Sequence, residues 1–146
     1  MRVAVGSDER MPLADAVVAA LREKGHEVEL VGPLAGGDQE WAEVGAEVGR
    51  RVASGDADQG VLFCWTGTGV SMAANKVHGV RAALCGDAET ARGARRYNHA
   101  NVLVMSLRAT SETVGREILE AFLDEPPGED EFDHRNVARV TGLESG

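Results

Sequence analysis

The sequence predicts an α/β protein: a three-layer α/β/α sandwich around a five-stranded, parallel, Rossmann-like sheet. Strand-like apolar runs alternate with amphipathic, helix-like segments, the pattern of a parallel sheet covered on both faces. The composition is 43% hydrophobic but only 4% aromatic, which implies a core of aliphatic side chains. With 146 residues and no internal repeat, the chain reads as a single domain, 1–146.

The first strand is read at Arg2 to Val5. A helix follows from Pro12 to Lys24, because proline suits a first helical turn and Gly25 a stop just past the last one. The second strand, Glu27 to Val31, leads through a loop around Gly36 to a helix over Gln39 to Ser54. Strand three, Gln59 to Phe63, runs through a glycine-rich turn into a helix at Val70 to Lys76. Strands four and five, Val80 to Leu84 and Asn101 to Met105, alternate with helices at Ala88 to Arg96 and Ser111 to Leu123. Residues 124–131 carry two prolines and a run of acids, so they form an exposed connector to a short C-terminal helix at about 133–140.

A net charge of −9 argues against nucleic-acid partners, whose phosphates are bound by clustered Lys and Arg. No apolar run approaches the roughly 20 residues of a membrane span, and no secretory leader precedes the first strand. The expected location is therefore cytoplasmic, where the two cysteines, Cys64 and Cys85, stay reduced. No Cys/His cluster has zinc-ligand spacing, so neither a metal nor another cofactor is expected.

Open parallel sheets bind ligands in the crevice outside the carboxyl ends of their strands. That rule selects the loops Gly6 to Met11, Cys64 to Gly69, Cys85 to Asp87 and Ser106 to Arg108. The most informative is Cys64-Trp-Thr-Gly-Thr-Gly69, a turn between a buried strand and a helix. Its backbone N–H groups can hold an anion at the helix N-terminus, and the same field favours a thiolate. Competing motifs fail on single residues. Met72 stands where a dinucleotide fingerprint needs its third glycine, no Gly-Lys-Ser/Thr follows for a phosphate-binding P-loop, and Val70 occupies the arginine position of a cysteine phosphatase loop.

The stretch from Cys64 to Lys76, continued by Gly79-Val-Arg-Ala-Ala-Leu-Cys85, resembles the signature of the type B ribose-5-phosphate isomerase and galactose-6-phosphate isomerase family. Gly6-Ser-Asp8, the segment Ala91 to Leu103 and Arg108 match the same family in order. The resemblance implies aldose–ketose isomerisation through a cis-enediolate, with Cys64 as the base. It implies that the N–H groups of Trp65, Thr66, Gly67, Thr68 and Gly69 stabilise the enediolate and that Thr66 assists ring opening. Asp8 and Asn98 would hold sugar hydroxyls, and Arg108 would face the anionic end of a sugar phosphate. It also implies a homodimer, or a tetramer built from dimers, with shared active sites.

Three positions depart from the family pattern. Glu9 and Tyr97 stand where the family has histidines, and alignment of the tail puts Asn136 at a phosphate-binding arginine, with Arg135 and Arg139 out of register. Tyrosine is a poor acid beside imidazole, so Tyr97 is no simple substitute, and His99 is expected to take over as the ring-opening acid. Fewer cations beside Glu9 also predict poor handling of ribose 5-phosphate and a preference for a smaller or less charged sugar. The alternatives are a sugar or sugar-phosphate binding protein without turnover, and a lyase or epimerase using the same base.

Overall fold

A computed structural model describes residues 1–145. It contains strands β1 (Arg2–Ser7), β2 (Glu27–Val31), β3 (Gln59–Cys64), β4 (Ala82–Leu84) and β5 (Val102–Ser106). The helices are α1 (Pro12–Glu23), α2 (Trp41–Ser54), α3 (Thr68–Asn75), α4 (Ala88–Asn98), α5 (Glu112–Asp124) and α6 (Glu131–Gly142). The strands form one parallel sheet in the order β2-β1-β3-β5-β4. The expected sandwich is therefore present, and β5 inserts between β3 and β4.

Strand order decides which face each helix covers, because parallel crossovers are right-handed. α1, α4 and α5 pack together on one face, and α2 packs on α3 on the other. Each face has its own aliphatic core. One gathers Val17, Leu21, Phe63, Leu103, Ile118 and Phe122; the other gathers Val44, Val48, Leu62, Val70, Val102 and Val104. β3 alternates between them, with Phe63 turned to one side and Leu62 to the other.

The chain reverses its course across the sheet on both sides of β3. The helices that follow β1 and β5 lie on one face, whereas the helix that follows β3 lies on the other. The loop leaving β3 therefore parts from both neighbours, and such a parting at the carboxyl edge is where open parallel sheets receive a ligand.

Several expected boundaries move for local reasons. β4 begins at Ala82 rather than Val80, because Val80 N–H turns back to the Val77 carbonyl and Arg81 N–H donates to the Asn101 side chain. β1 runs on to Ser7 because Gly6 and Ser7 still pair with β3. α4 continues to Asn98, where His99 caps it in the left-handed region at φ 49°. The C-terminal helix starts at Glu131, capped by Asp130, and reaches Gly142, so the connector is shorter than the expected 124–131.

Candidate active site

Cys64 ends β3 with its side chain buried, paired in register with Ser106 of β5. The turn after it is tied to the loop after β5 by three bonds. Leu107 N–H donates to the Cys64 carbonyl at 3.0 Å, while Arg108 N–H and the Ser106 hydroxyl both donate to the Trp65 carbonyl, at 3.0 and 2.9 Å. A fixed backbone is what a preorganised oxyanion site requires, since donors already in place need not reorganise during reaction.

Gly67 caps α3 at φ +78° and is buried; a Cβ there would stand 2.5 Å from Leu84 Cδ1 and 3.3 Å from the backbone of Met105 and Ser106. Only glycine lets the turn close against β5. Gly67 offers no capping side chain, and the side-chain contact at the α3 N-terminus is long, Thr68 N–H donating to Thr66 Oγ1 at 3.5 Å, so the N–H groups of Gly69 and Val70 keep their donor capacity. Thr66 and Thr68 flank Gly67, both exposed, with their hydroxyls 2.7 Å apart.

β1 delivers the next group to the same edge. Ser7 is fully buried and its hydroxyl donates to the Glu9 carbonyl, shaping the loop that presents Asp8 and Glu9. The Asp8 Oδ1 atom is buried without a hydrogen-bond partner. Burial pushes the Asp8 carboxyl above its ordinary range, and neighbouring Glu9 pushes the same way, against one backbone hydrogen bond. Such a carboxyl is ready to accept or donate a hydrogen bond to a hydroxyl that enters the crevice. Arg108 leaves the β5 edge with its side chain exposed.

Asp8, Glu9, Cys64, the turn from Trp65 to Gly69 and Arg108 thus share the carboxyl edge, as the sequence predicts. Tyr97, Asn98 and His99 do not. Helix α4 descends from the carboxyl edge, so its last residues lie beside the strand starts, where Asn101 bonds to Gly60 and Gly79. A five-residue strand spans roughly 17 Å, and that height of sheet separates them from Cys64 in one chain.

At this opposite edge Tyr97 and Asn98 line a groove of about 660 Å³, together with Asn75, Arg81, Asn136 and Val140. The sequence singles out Tyr97, Asn98 and Asn136 separately, and the fold brings all three to one groove. His99 is held elsewhere, with its Nε2 lying 2.9 Å from the Gly128 carbonyl and its ring packed edge-on against His134. It fastens the connector to α4, at the edge opposite the Cys64 turn of the same chain.

The arginines of α4 are similarly occupied. Arg95 donates to the Glu125 and Ala100 carbonyls and stacks on Phe122, Arg96 pairs with Glu125, and Arg92 pairs with Glu89. Among the described residues no cluster of acids, histidines and cysteines is arranged to hold a metal, and no helix is long and apolar enough to cross a membrane. Sequence reasoning misses Trp41, whose indole lies over Gly69 at the carboxyl edge. The two are 28 residues apart in sequence, and only the packing of α2 on α3 joins them.

The Ribose/Galactose Isomerase family model matches residues 3–142. The galactose-6-phosphate isomerase subunit LacB of Clostridium acetobutylicum is 38% identical over 125 residues, which is 85% of this chain and 72% of that protein. Escherichia coli ribose-5-phosphate isomerase B is 34% identical, over 84% of this chain and 83% of its own. The D-erythrulose-4-phosphate isomerase of Pectobacterium atrosepticum is 31% identical, over 85% and 83%. Among solved structures, Clostridium thermocellum ribose-5-phosphate isomerase B superposes with a TM-score of 0.92 at 30% identity, covering 99% of this chain and 98% of that one. The Mycoplasma genitalium enzyme with bound ribulose-5-phosphate gives 0.90 at 31% identity, covering 99% and 96%.

Proposed function

The chain belongs to the ribose/galactose isomerase family, and from that premise we propose that it interconverts the aldose and ketose forms of a small sugar phosphate, with Cys64 as the base. The observation that carries this reading is a thiol at the end of β3, directly before a helix whose cap residue, Gly67, has no side chain and whose first turn carries no acidic residue.

In the aldose-to-ketose direction the Cys64 thiolate takes the proton from C2: the C–H bond breaks, an S–H bond forms, and the electron pair moves into a cis-enediolate. Negative charge grows on O1, where the N–H groups of the Trp65 to Gly69 turn and the α3 dipole meet it. Cys64 then returns its proton to C1, while the O2 proton passes to O1. Asp8 holds hydroxyls during these steps, and Arg108 faces the anionic end. No metal or organic cofactor is needed for this proton transfer.

Asn98 and Tyr97 act from a second copy. The height of the sheet keeps them from Cys64 of their own chain, and a two-fold dimer lays the groove of one chain over the turn of the other. This arrangement has a direct test. A Cys64→Ala variant and an Asn98→Ala variant, unfolded together and refolded at equal ratio, recover roughly a quarter of the parental activity, because about half the dimers are mixed and each holds one intact site of two. No recovery would mean that each chain carries a complete site.

Substrate size follows from Tyr97. A phenol is a much weaker proton donor than the imidazolium of a histidine, so a substrate that must first be opened from its ring is poorly served. A four-carbon sugar with phosphate on O4 has no hydroxyl left to close a five-membered ring and is already open. We therefore rank a tetrose 4-phosphate above ribose 5-phosphate, which agrees with the named activity of one relative. The check is a panel of tetrose and pentose phosphates with their free sugars. Ribose 5-phosphate as the best substrate, at kcat/KM of ~10⁴ M⁻¹s⁻¹ or more, would overturn the ranking and point to Arg135 and Arg139, on α6, as phosphate ligands.

A further inference from the structure

Resting on the isomerase reading of the Cys64 turn, we propose that Trp41 is the wall that sets substrate length: its indole, seated on Gly69, admits a four-carbon phosphate and excludes longer chains. α2 descends from the carboxyl edge to the start of β3, so Trp41, its first residue, stands at the same edge as the turn. A Cβ built on Gly69 would lie 2.7 Å from Trp41 Cε3, 2.9 Å from Cδ2 and 3.2 Å from Cζ3. The ring therefore lies against the backbone of the first turn of α3, in contact that any side chain at position 69 would break.

Trp41 remains 46% exposed, so the ring is more than a core residue. It covers the end of the N–H turn on one side and leaves a broad apolar surface at the edge that also carries Thr66, Thr68 and Asp8, all polar. A sugar can lay its C–H face on an indole, but its hydroxyls find no partner there. Each hydroxyl stripped of water without a replacement costs free energy, so a chain that runs past Gly69 is penalised for every added carbinol. Trp41 acts on specificity, and Cys64 on the reaction.

The measurement is the ratio of kcat/KM for a tetrose 4-phosphate to that for a pentose 5-phosphate. Trp41→Ala shifts this ratio toward the pentose by about tenfold or more, the scale on which pocket walls discriminate a single carbon, whereas Trp41→Phe keeps most of the preference. Gly69→Ala displaces the indole and lowers turnover; in the Trp41→Ala background the same change costs much less, because the colliding ring is gone. A ratio within about twofold of the parent in a folded Trp41→Ala protein, or equal cost of Gly69→Ala in both backgrounds, overturns the proposal. If Trp41→Ala fails to fold, Trp41→Leu replaces it. If the parent turns over neither sugar, the isomerase reading fails by itself, and the wall is judged by binding. The chain has only two tryptophans, so in Trp65→Phe the emission reports Trp41 alone. Quenching at lower concentrations of tetrose than of pentose phosphate sustains the proposal, and an equal or absent response ends it.

Discussion

The carboxyl edge carries the same small module twice, and the two copies have opposite characters. Cys64 closes β3 and precedes α3; Cys85 follows β4 and precedes α4, and both thiols are buried and unpaired in a disulfide. The difference lies at the helix that follows. Asp87 caps α4, its carboxylate accepting from Thr90 N–H at 2.7 Å. Gly67 caps α3 with no side chain at all. One N-terminus is satisfied by a carboxylate of the protein's own; the other meets only the neutral Thr66 hydroxyl, at 3.5 Å from Thr68 N, which leaves it able to receive an anion. Burial, and then Asp87, push the Cys85 thiol up to about 11, which keeps it a neutral thiol near pH 7. A cysteine at a strand end thus says little, and the cap of the next helix says much more.

Exchanging each sulfur is the strongest way to break this comparison. Cys64→Ala should abolish solvent-hydrogen exchange at the substrate carbon while unfolding free energy stays within roughly 1 to 2 kcal/mol of the parent. Cys85→Ala should change kcat by no more than about threefold, although it removes a fully packed side chain. Proton exchange followed by NMR, alongside urea melts, reads both. Undiminished exchange in Cys64→Ala would make the two cysteines alike and remove the proposed base.

A smaller effect is expected where the open cap is made. Gly67→Ala places a methyl group against Leu84 and the β5 backbone at a φ of +78°, a conformation that disfavours any Cβ. The expected loss is about 1 to 3 kcal/mol of stability, with activity falling further than stability because the turn shifts against Ser106. Gly55, also at positive φ but with open space around it, is the control. Equal losses at both positions would show that backbone strain alone, and not closure on β5, makes glycine necessary at 67.

The layers of the fold are legible in the sequence because each depends on a local pattern. Alternating apolar runs mark five strands, and Pro12, Gly25 and the acidic connector mark boundaries within a few residues. The carboxyl-edge rule, applied to the loops alone, selects Asp8, Cys64, the glycine turn and Arg108. What escapes is long-range. The insertion of β5 between β3 and β4 leaves no trace in the order of the strands along the chain. Trp41 on Gly69 is a contact between helices, and the capture of His99 by Gly128 depends on where a connector folds back. Resemblance groups Asn98 with Cys64 and implies sites shared between chains, but the physical reason, the height of sheet between the two in one chain, appears only in the fold.

The finest test of the contrast between the two modules is the alkaline edge of stability. Cys85 titrates at about 11 in the folded chain against 9.0 for an unperturbed thiol. Between those values the unfolded chain has lost the proton and the folded chain still holds it. The unfolded state then binds fewer protons, so stability falls as pH rises, by at most about 1.4 kcal/mol per pH unit for one group. Well below pH 9 both states are protonated and the slope from this thiol vanishes. Cys85→Ala should therefore flatten the decline in urea midpoint between pH 9 and about 11 relative to the parent. Asp87→Asn should flatten it only slightly, because burial is the first cause of the shift and the Asp87 charge the second. A parent and a Cys85→Ala variant with parallel profiles above pH 9 would mean that Cys85 titrates as it does in the unfolded chain, and that neither its burial nor Asp87 holds the proton on this thiol.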